Sequence, residues 1–193
     1  DGSLDLDFLR ANGVRCRLTK LGPGRLSAQL RMAYAWCLDE GYEGVVTMDG
    51  NGKDNVEAIG AFVTKLQQGF GYVQGSRYAP GGLAENTPLE RSLGNRLIHA
   101  PMLSLAAGRW FTDTTNGFRA YSRDYLLDPR LAPFREVFAN YELLFYLTVR
   151  ARRLGYRVCE LGVRRSYPVG EATPTKISGL AGKLALLSQT FHA

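Results

Sequence analysis

The 193-residue sequence has few of the residues that bind structural metals or form disulfide frameworks. Its three cysteines (Cys16, Cys37 and Cys159) and two histidines (His99 and His192) lie far apart, and none stands in a metal-ligand spacing such as Cys-x-x-Cys. This pattern argues against a zinc site and a disulfide scaffold, and it favours a reducing compartment. With 45% hydrophobic and 22% charged residues, the composition is that of a globular domain.

Several common sequence signatures are also missing. There is no GxxxxGK[ST] phosphate loop, no GxGxxG after a strand and no GxSxG elbow. His99 lies in an apolar helical stretch, where we expect it to pack rather than to serve in a catalytic triad. No run of 18 apolar residues occurs, because His99 and Pro101 interrupt the longest candidate, Leu97 to Gly108. We therefore expect no membrane-spanning helix in this chain.

The net charge of +6 is concentrated at one end of the chain. Residues 1–149 carry 16 basic and 16 acidic residues, whereas residues 150–193 carry 8 basic and 2 acidic residues. A basic end favours an anionic partner such as phosphate groups or a membrane surface, although a solvated basic face has the same composition. No nucleic-acid-binding motif accompanies the charge, and we expect no nucleic-acid partner.

Strand and helix patterns alternate along the chain. Val45–Met48 and Gly71–Ser76 are typical of buried strands, and Ser27–Glu40 and Val56–Gln68 have the apolar spacing of helices. This alternation predicts a parallel, doubly wound α/β sheet. The other predicted elements are helices over Leu4–Asn12, Leu89–Ala107 (kinked or restarted at Pro101), Tyr141–Leu154 and Ile177–Phe191, strands over Val14–Thr19 and Tyr156–Val163, and a loop over Arg77–Pro88.

A polar segment follows the first buried strand directly. Asp49-Gly50-Asn51 comes after Val45–Met48, and in open α/β sheets ligands bind beyond the carboxyl ends of the strands. The oxygens of Asp49 and Asn51 are ligands that suit Mg²⁺ or Mn²⁺ carrying a diphosphate. The same residues also suit an Asx turn that binds nothing.

Two arginines follow the next predicted strand. Arg77 lies in Gly75-Ser76-Arg77-Tyr78, and Arg91 lies at the start of the helix beyond the loop. Arginine binds phosphate oxygens with two parallel hydrogen bonds, so the pair is suited to a phosphorylated acceptor. Surface salt bridges are the alternative interpretation.

Two more clusters lie towards the end of the chain. Thr112–Arg119 contains Asp113 among small hydroxyl residues, as in a ligand-facing loop or in an N-cap and turn cluster. Arg165 and Lys176 flank a loop with proline and glycine. Such cations can neutralise a diphosphate leaving group, or they can face a membrane or solvent.

In this order the clusters resemble family 2 glycosyltransferases of the GT-A fold. The resemblance is strongest to dolichol-phosphate mannose synthases and bacterial polyprenyl-phosphate glycosyltransferases, and it covers essentially the whole chain. It implies one domain over residues 1–193: an open, Rossmann-like, mostly parallel sheet flanked by helices, with an amphipathic tail helix over 177–191. Because Asp1-Gly2-Ser3 matches an element that follows the family's second strand, we expect the first βα unit to be missing here.

The resemblance also implies roles for individual residues. The nucleotide-sugar donor is expected to contact Asp1, Gly24, Arg25, Asp49 and Asn51, the acceptor phosphate Arg77 and Arg91, and the reacting centre Asp113, Arg165 and Lys176. Asp49 and Asn51 are also the expected ligands of Mg²⁺ or Mn²⁺. Glu160-Leu161-Gly162-Val163 resembles part of the family's closing element.

The sequence departs from the family pattern at the metal site. Asn51 stands where the family has a second acid, and Lys53 stands where it often has Gln. Both changes reduce the negative charge available to a metal ion, and the ammonium of Lys53 weakens metal binding or partly replaces the ion. Thr175 replaces the usual Ser, and no QxxRW element is present, which argues against a processive polysaccharide synthase.

The implied reaction is an inverting transfer of a hexose from a UDP- or GDP-linked sugar to a polyprenyl or dolichyl phosphate, as in cell-envelope biosynthesis. A phosphate acceptor is already anionic and needs no general base, for which Asp113 is the one obvious candidate. Two alternatives remain open: a family 2 transferase acting on a sugar hydroxyl with Asp113 as base, and a non-catalytic nucleotide-sugar-binding domain. No oligomeric state is predicted.

A membrane surface is the remaining expected partner. Four apolar residues share one face of the predicted tail helix, behind a basic loop: Leu180, Leu184, Leu187 and Phe191. Such a face suits an anionic membrane or the chain's own core. We therefore expect a cytoplasmic protein that is peripheral to the cytoplasmic face of a membrane.

Overall fold

The computed structural model describes residues 5–168 and Ser188. The helices are α1 (Leu6–Ala11), α2 (Leu26–Asp39), α3 (Ile59–Gln67), α4 (Leu89–Gly94), α5 (Ala100–Ala107), α6 (Arg123–Leu127) and α7 (Glu142–Arg153). The strands are β1 (Gly44–Thr47), β2 (Tyr72–Ser76), β3 (Leu83–Glu85), β4 (Arg119–Ser122), β5 (Val158–Gly162) and β6 (Arg164–Ser166). A 3-10 turn (Val56–Ala58) precedes α3, and a π-helical turn (Asn95–His99) joins α4 to α5.

The main sheet is mixed. Its strand order is β1-β4-β2-β5; β4 runs antiparallel to both of its neighbours, and β2 and β5 are parallel. Three strands therefore share one direction and β4 opposes them, which corrects the expectation of a mostly parallel, doubly wound sheet. The sequence analysis predicted no strand over Arg119–Ser122, so it missed β4 and with it the antiparallel pairings.

The described chain holds a second, two-stranded sheet, which the sequence analysis missed. β3 pairs in parallel with β6, from Leu83 opposite Arg164 to Glu85 opposite Ser166. β3 lies inside the stretch expected to be a loop. Conversely, the strand predicted over Val14–Thr19 is wrong: these residues form no regular secondary structure, and Val14 and Leu18 are 41% and 38% exposed.

Helices cover both faces of the main sheet. Successive strand residues point to opposite faces, so Tyr72 and Tyr121 pack with Tyr34 of α2 in one buried cluster. On the other face, Phe62 of α3 stacks on Phe118 with a centroid distance of 4.3 Å. The expected α/β class is therefore confirmed, with the sheet between two helical layers.

Arg119 of β4 ties the sheet to α7 and to the preceding loop. Its side chain is fully buried. It donates hydrogen bonds to the carbonyl oxygens of Asn116 (2.8 Å), Thr114 (2.7 Å) and Leu144 (2.6 Å). Because a buried guanidinium must satisfy its N–H donors, these bonds determine the path of residues 114–118.

The helix predicted over Leu89–Ala107 consists of three pieces. Pro101 lies in the first turn of α5, where its missing N–H costs no helical hydrogen bond, as the predicted restart requires. In the π-helical turn before it, His99 is 5% exposed and lies 5.2 Å from the ring of Phe145. Neither imidazole nitrogen has a hydrogen-bond partner among the described residues, which fits the expected packing role.

Among the helices of the described residues, none combines the length and apolar character needed to cross a bilayer. The amphipathic helix predicted over 177–191 lies outside the described residues.

His99 should make the protein sensitive to acid. Burial lowers its pKa from the usual 6.5 to about 4, with a smaller contribution from the charge of Arg119. The unfolded chain therefore takes up the proton first, and the free energy of unfolding falls as the pH drops from about 6.5 towards 4, by roughly 3 kcal/mol from this residue. We expect His99→Phe to flatten that pH dependence, measured by urea unfolding.

The sequence's other histidine provides the control. His192→Gln should keep the wild-type pH dependence, and an unchanged slope in His99→Phe would show that His99 does not cause it.

Candidate functional site

Residues from four separate segments meet beyond the carboxyl ends of β1 and β2. Asp49 follows β1, Arg77 follows β2, Asp113 lies in the loop before β4, and Arg165 lies in β6. They form two ion pairs, Arg165 with Asp49 and Arg77 with Asp113. The carboxyl edge of the sheet is the region that the sequence analysis selected.

Arg165 bridges two carboxylates. Its Nη2 lies 2.8 Å from Oδ2 of Asp49, and its Nη1 lies 2.5 Å from Oδ2 of Asp54. The Asp54 side chain is fully buried, and its Oδ1 has no hydrogen-bond partner among the described residues. Burial raises the pKa of Asp54, although the charge of Arg165 opposes that shift. The sequence analysis gave Asp54 no role. Its position in the polar loop after β1 was the signal that could have identified it as a site residue.

A close backbone approach completes the surroundings of Asp49. A Cβ on Gly117 would lie 2.8 Å from Oδ1 of Asp49, so only glycine fits there without displacing the carboxylate. The carbonyl oxygen of Gly117 also accepts a hydrogen bond from Oγ1 of Thr47 at 3.0 Å. The loop before β4 is therefore fitted against the end of β1.

Asn51 and Lys53 are arranged differently from a metal site. Oδ1 of Asn51 accepts the backbone N–H of Lys53 at 3.2 Å, which is the Asx turn that the sequence left open as an alternative. The ammonium of Lys53 lies 4.8 Å from the ring centroid of Tyr167. The side-chain oxygen of Asn51 and the ammonium of Lys53 are thus both engaged in contacts within the protein.

These residues do not fit a metal ion held by the protein. Within residues 5–168, no group of three or more His, Cys, Asp or Glu side chains is placed to hold one. Asp49 shares its carboxylate with Arg165, and the Asn51 oxygen holds a turn. The expected Mg²⁺ or Mn²⁺ stays a prediction that this donor set does not favour.

Arg77 and Asp113 form a buried pair. The side chains are 4% and 0% exposed, and two parallel bonds of 2.7 Å and 3.0 Å join them. Asp113 also accepts hydrogen bonds from Asn95, from the backbone of Arg77 and from both the backbone and hydroxyl of Thr115. Burial would lower the pKa of Arg77, but Asp113 outweighs it and the pKa is raised. Both oxygens of the Asp113 carboxylate are thus already engaged.

Glu160 of β5 holds the backbone of the loop that carries Asp113. It accepts hydrogen bonds from the backbone N–H of Thr112 (2.8 Å) and of Asp113 (3.2 Å), and burial raises its pKa. The sequence analysis included Glu160 in a motif without assigning it a task. Its task here is to position the backbone around Asp113.

The remaining predicted residues divide into three groups. Arg91 donates to the hydroxyl of Tyr167 at 3.3 Å, which connects α4 with the end of β6. Gly24 and Arg25 lie at the start of α2, where the Arg25 N–H donates to the carbonyl of Ala139 at 2.7 Å. Within the part of the chain that the structure describes, no hydrogen bond joins these two residues to Asp49 or Arg165. Asp1 and Lys176 lie outside the described residues, and these roles stay predictions.

An apolar pocket opens next to the buried pair. It has a volume of about 400 Å³, and its lining residues are Tyr78, Leu93, Arg96, Leu97, Ala100, Trp110, Phe111 and Thr112. Tyr78 follows Arg77 in the chain, and Thr112 precedes Asp113. The pocket therefore joins the ionic part of the site to the outer face of α4 and the π-helical turn.

The protein thus has a mixed α/β fold with arginines clustered at the carboxyl edge of its sheet. No protein-family model matches the chain. The chain is 30% identical to undecaprenyl-phosphate mannosyltransferase of Micrococcus luteus over 149 residues, which are 76% of this chain and 58% of that protein. It is 31% identical to dolichyl-phosphate hexose transferase of Haloferax volcanii over 142 residues, 74% of this chain and 57% of that protein.

The predicted resemblance to polyprenyl-phosphate glycosyltransferases is therefore confirmed. The chain spans less than two thirds of the length of these two relatives.

The Arg77–Asp113 pair should be a major contributor to stability. Arg77→Gln leaves Asp113 buried without its ionic partner, and we expect the free energy of unfolding to fall by about 3–5 kcal/mol. The control is Arg10→Gln, which removes an exposed pair with Asp7 (76% and 91% exposed) and should cost less than about 1 kcal/mol. Chemical denaturation measures both, and equal losses would contradict the assignment.

Proposed function

We propose that the chain is the catalytic domain of an inverting, GT-A-type glycosyltransferase that moves a hexose from a UDP- or GDP-linked sugar to a polyprenyl phosphate. The observation that carries the proposal is the pocket of about 400 Å³, which is lined largely by apolar residues and by Arg96 and lies next to the buried Arg77. An isoprenoid phosphate has two matching parts: an apolar chain that suits the pocket and an anionic head that suits an arginine. The names of the two relatives combine a polyprenyl or dolichyl phosphate with a sugar transferase.

The acceptor chain would enter from the outer face of α4 and α5. Leucines exposed to solvent recur there: Leu89 is 72%, Leu93 46%, Leu97 69% and Leu105 85% exposed. Trp110, 65% exposed, extends this surface beside the pocket. We call these five residues the apolar face.

The apolar face also suits contact with an anionic bilayer. An exposed apolar patch of this kind marks an interaction site, and tryptophan is favoured at the membrane–water interface. Arg96 and Arg109 line the pockets along it, where their charges can meet lipid phosphates. We therefore propose a peripheral protein on the cytoplasmic face of a membrane, with the acceptor presented from the bilayer.

The state of Asp113 favours a phosphate acceptor over a sugar hydroxyl. A hydroxyl acceptor needs a base with a free lone pair near the attacking oxygen. Asp113 instead accepts two hydrogen bonds from the Arg77 side chain and others from Asn95 and Thr115. A phosphate oxygen is already anionic at neutral pH and attacks without such a base.

In the proposed reaction, a phosphate oxygen of the acceptor attacks C1 of the sugar. A new C1–O bond forms as the bond from C1 to the nucleoside diphosphate breaks, and the electron pair leaves with the diphosphate. Charge on the leaving group is then the main quantity to stabilise. We propose Arg165, which is paired with Asp49, for that task, and Lys176 from the resemblance alone.

An acceptor panel tests the proposed reaction on the full natural protein. We expect transfer from a UDP- or GDP-hexose to a polyprenyl phosphate with inversion at C1, and none to a free sugar hydroxyl. Leu93→Asp places a charge in the acceptor pocket and should raise KM for the polyprenyl phosphate at least about tenfold. Transfer to the hydroxyl acceptor would contradict the proposal.

The matched control for the acceptor test is Leu127→Asp. Leu127 lies in α6 and is 50% exposed, similar to Leu93, but it is not among the residues that line the pocket. Its KM should stay at the wild-type value.

Flotation with vesicles of anionic phospholipid tests the membrane surface. We expect the protein to float, and the double variant Leu97→Glu/Leu105→Glu to lose most of this binding because two charges enter the apolar face. Val137→Glu is the control, since Val137 is 68% exposed in the loop before α7. If both variants float like wild type, the apolar face is not the contact surface.

A further inference from the structure

The ring of Tyr167 gathers three positive charges from three separate segments of the chain. The ammonium of Lys53 lies 4.8 Å from the ring centroid, and the guanidinium carbons of Arg91 and Arg165 each lie 5.8 Å from it. Tyr167 itself is only 4% exposed. Asp49 and Asp54 already balance the charge of Arg165, and an anion bound beside Lys53 lowers the remaining repulsion between like charges.

We infer that Lys53, held on Tyr167, supplies the positive charge that a divalent cation would otherwise supply at Asp49, so that the donor's diphosphate binds without Mg²⁺ or Mn²⁺. The inference rests on the proposed function, because it takes a nucleotide sugar as the ligand. In this inference Lys53 binds the donor's diphosphate, and Tyr167 is a positioning residue that holds the ammonium of Lys53.

The first step of the argument is the state of Asp49. Its Oδ2 is paired with Nη2 of Arg165 at 2.8 Å, and Arg165 is held in turn by Asp54 at 2.5 Å. A divalent cation on Asp49 would have to share this carboxylate with a guanidinium, which like-charge repulsion opposes. Arg165 therefore already neutralises the carboxylate that a metal ion needs.

The second step is that the backbone holds Lys53 in place. Its N–H donates to Oδ1 of Asn51 at 3.2 Å, and its carbonyl accepts the N–H of Ser166 at 2.9 Å. Lys53 is thus connected both to the loop after β1 and to the strand that leads to Tyr167. Its ammonium, 4.8 Å from the ring of Tyr167, therefore lies on the same ring as Arg165, which is paired with Asp49.

The third step is the potential around Tyr167. Burial would raise the pKa of its phenol, but the hydrogen bond and charge of Arg165, with the charge of Arg77 and the hydrogen bond of Arg91, outweigh burial and lower it. The surroundings of the ring therefore favour negative charge. A nucleoside diphosphate brings that charge.

Calorimetry on the full natural protein tests the inference, with UDP and GDP as probes in EDTA and then in excess Mn²⁺. For the nucleotide that binds, we expect affinities in the two conditions to agree within about threefold. Lys53→Gln, the residue common in the family, should weaken binding in EDTA by about tenfold, and Mn²⁺ should restore part of the loss. Tyr167→Leu should weaken binding in EDTA as well, because Lys53 loses its support.

Lys65→Gln is the matched control. The ammonium of Lys65 also lies over an aromatic ring, at 5.5 Å from Phe70, but it belongs to α3. Its nucleotide affinity should equal wild type.

Two results would overturn the inference, and they differ in what they say about the function. Wild-type binding that requires Mn²⁺, or Lys53→Gln binding like wild type in EDTA, removes the inference and leaves the transferase proposal intact. Failure of both nucleotides to bind the folded protein in either condition removes the donor site and the inference together.

Discussion

One buried guanidinium sets the geometry on which the candidate site depends. Arg119 lies in the middle of the protein, and its hydrogen bonds go to carbonyl oxygens of the preceding loop and of α7. A buried guanidinium must satisfy its N–H donors, so these acceptors must stay in place. The loop carries Asp113, which holds Arg77, and Gly117, which packs on Asp49. The position of both ion pairs therefore follows from a residue that binds no ligand itself.

The site is preorganised by internal counter-charges. Arg77 and Arg165 are buried and each is matched to carboxylates within hydrogen-bond distance. Cations held in this way need little reorganisation when a ligand's charge changes, which is the main requirement for stabilising a leaving group. The same pairing has a second consequence: a carboxylate that is paired with an arginine is a poor metal ligand and a poor base.

Much of the fold was predictable because its signals are local. Helices α2 and α7 and strands β1 and β2 were all expected at nearly their observed bounds, since periodic or continuous apolar patterns specify them. β3 and β6 were not, because each has three residues and is defined by its partner strand rather than by its own pattern. The strand predicted over Val14–Thr19 had the alternation but no described partner, and alternation alone does not make a strand.

The sequence by itself determined which chemical groups follow the strands: a carboxylate at Asp49, arginines at Arg77 and Arg165, and a lysine at Lys53 in place of the family's glutamine. It also carried the resemblance to polyprenyl-phosphate glycosyltransferases. Only the tertiary structure decided the partners of these groups. Arg165 and Asp49 are 116 positions apart, and a charged side chain pairs according to distance and burial in the folded chain, which spacing along the sequence does not encode.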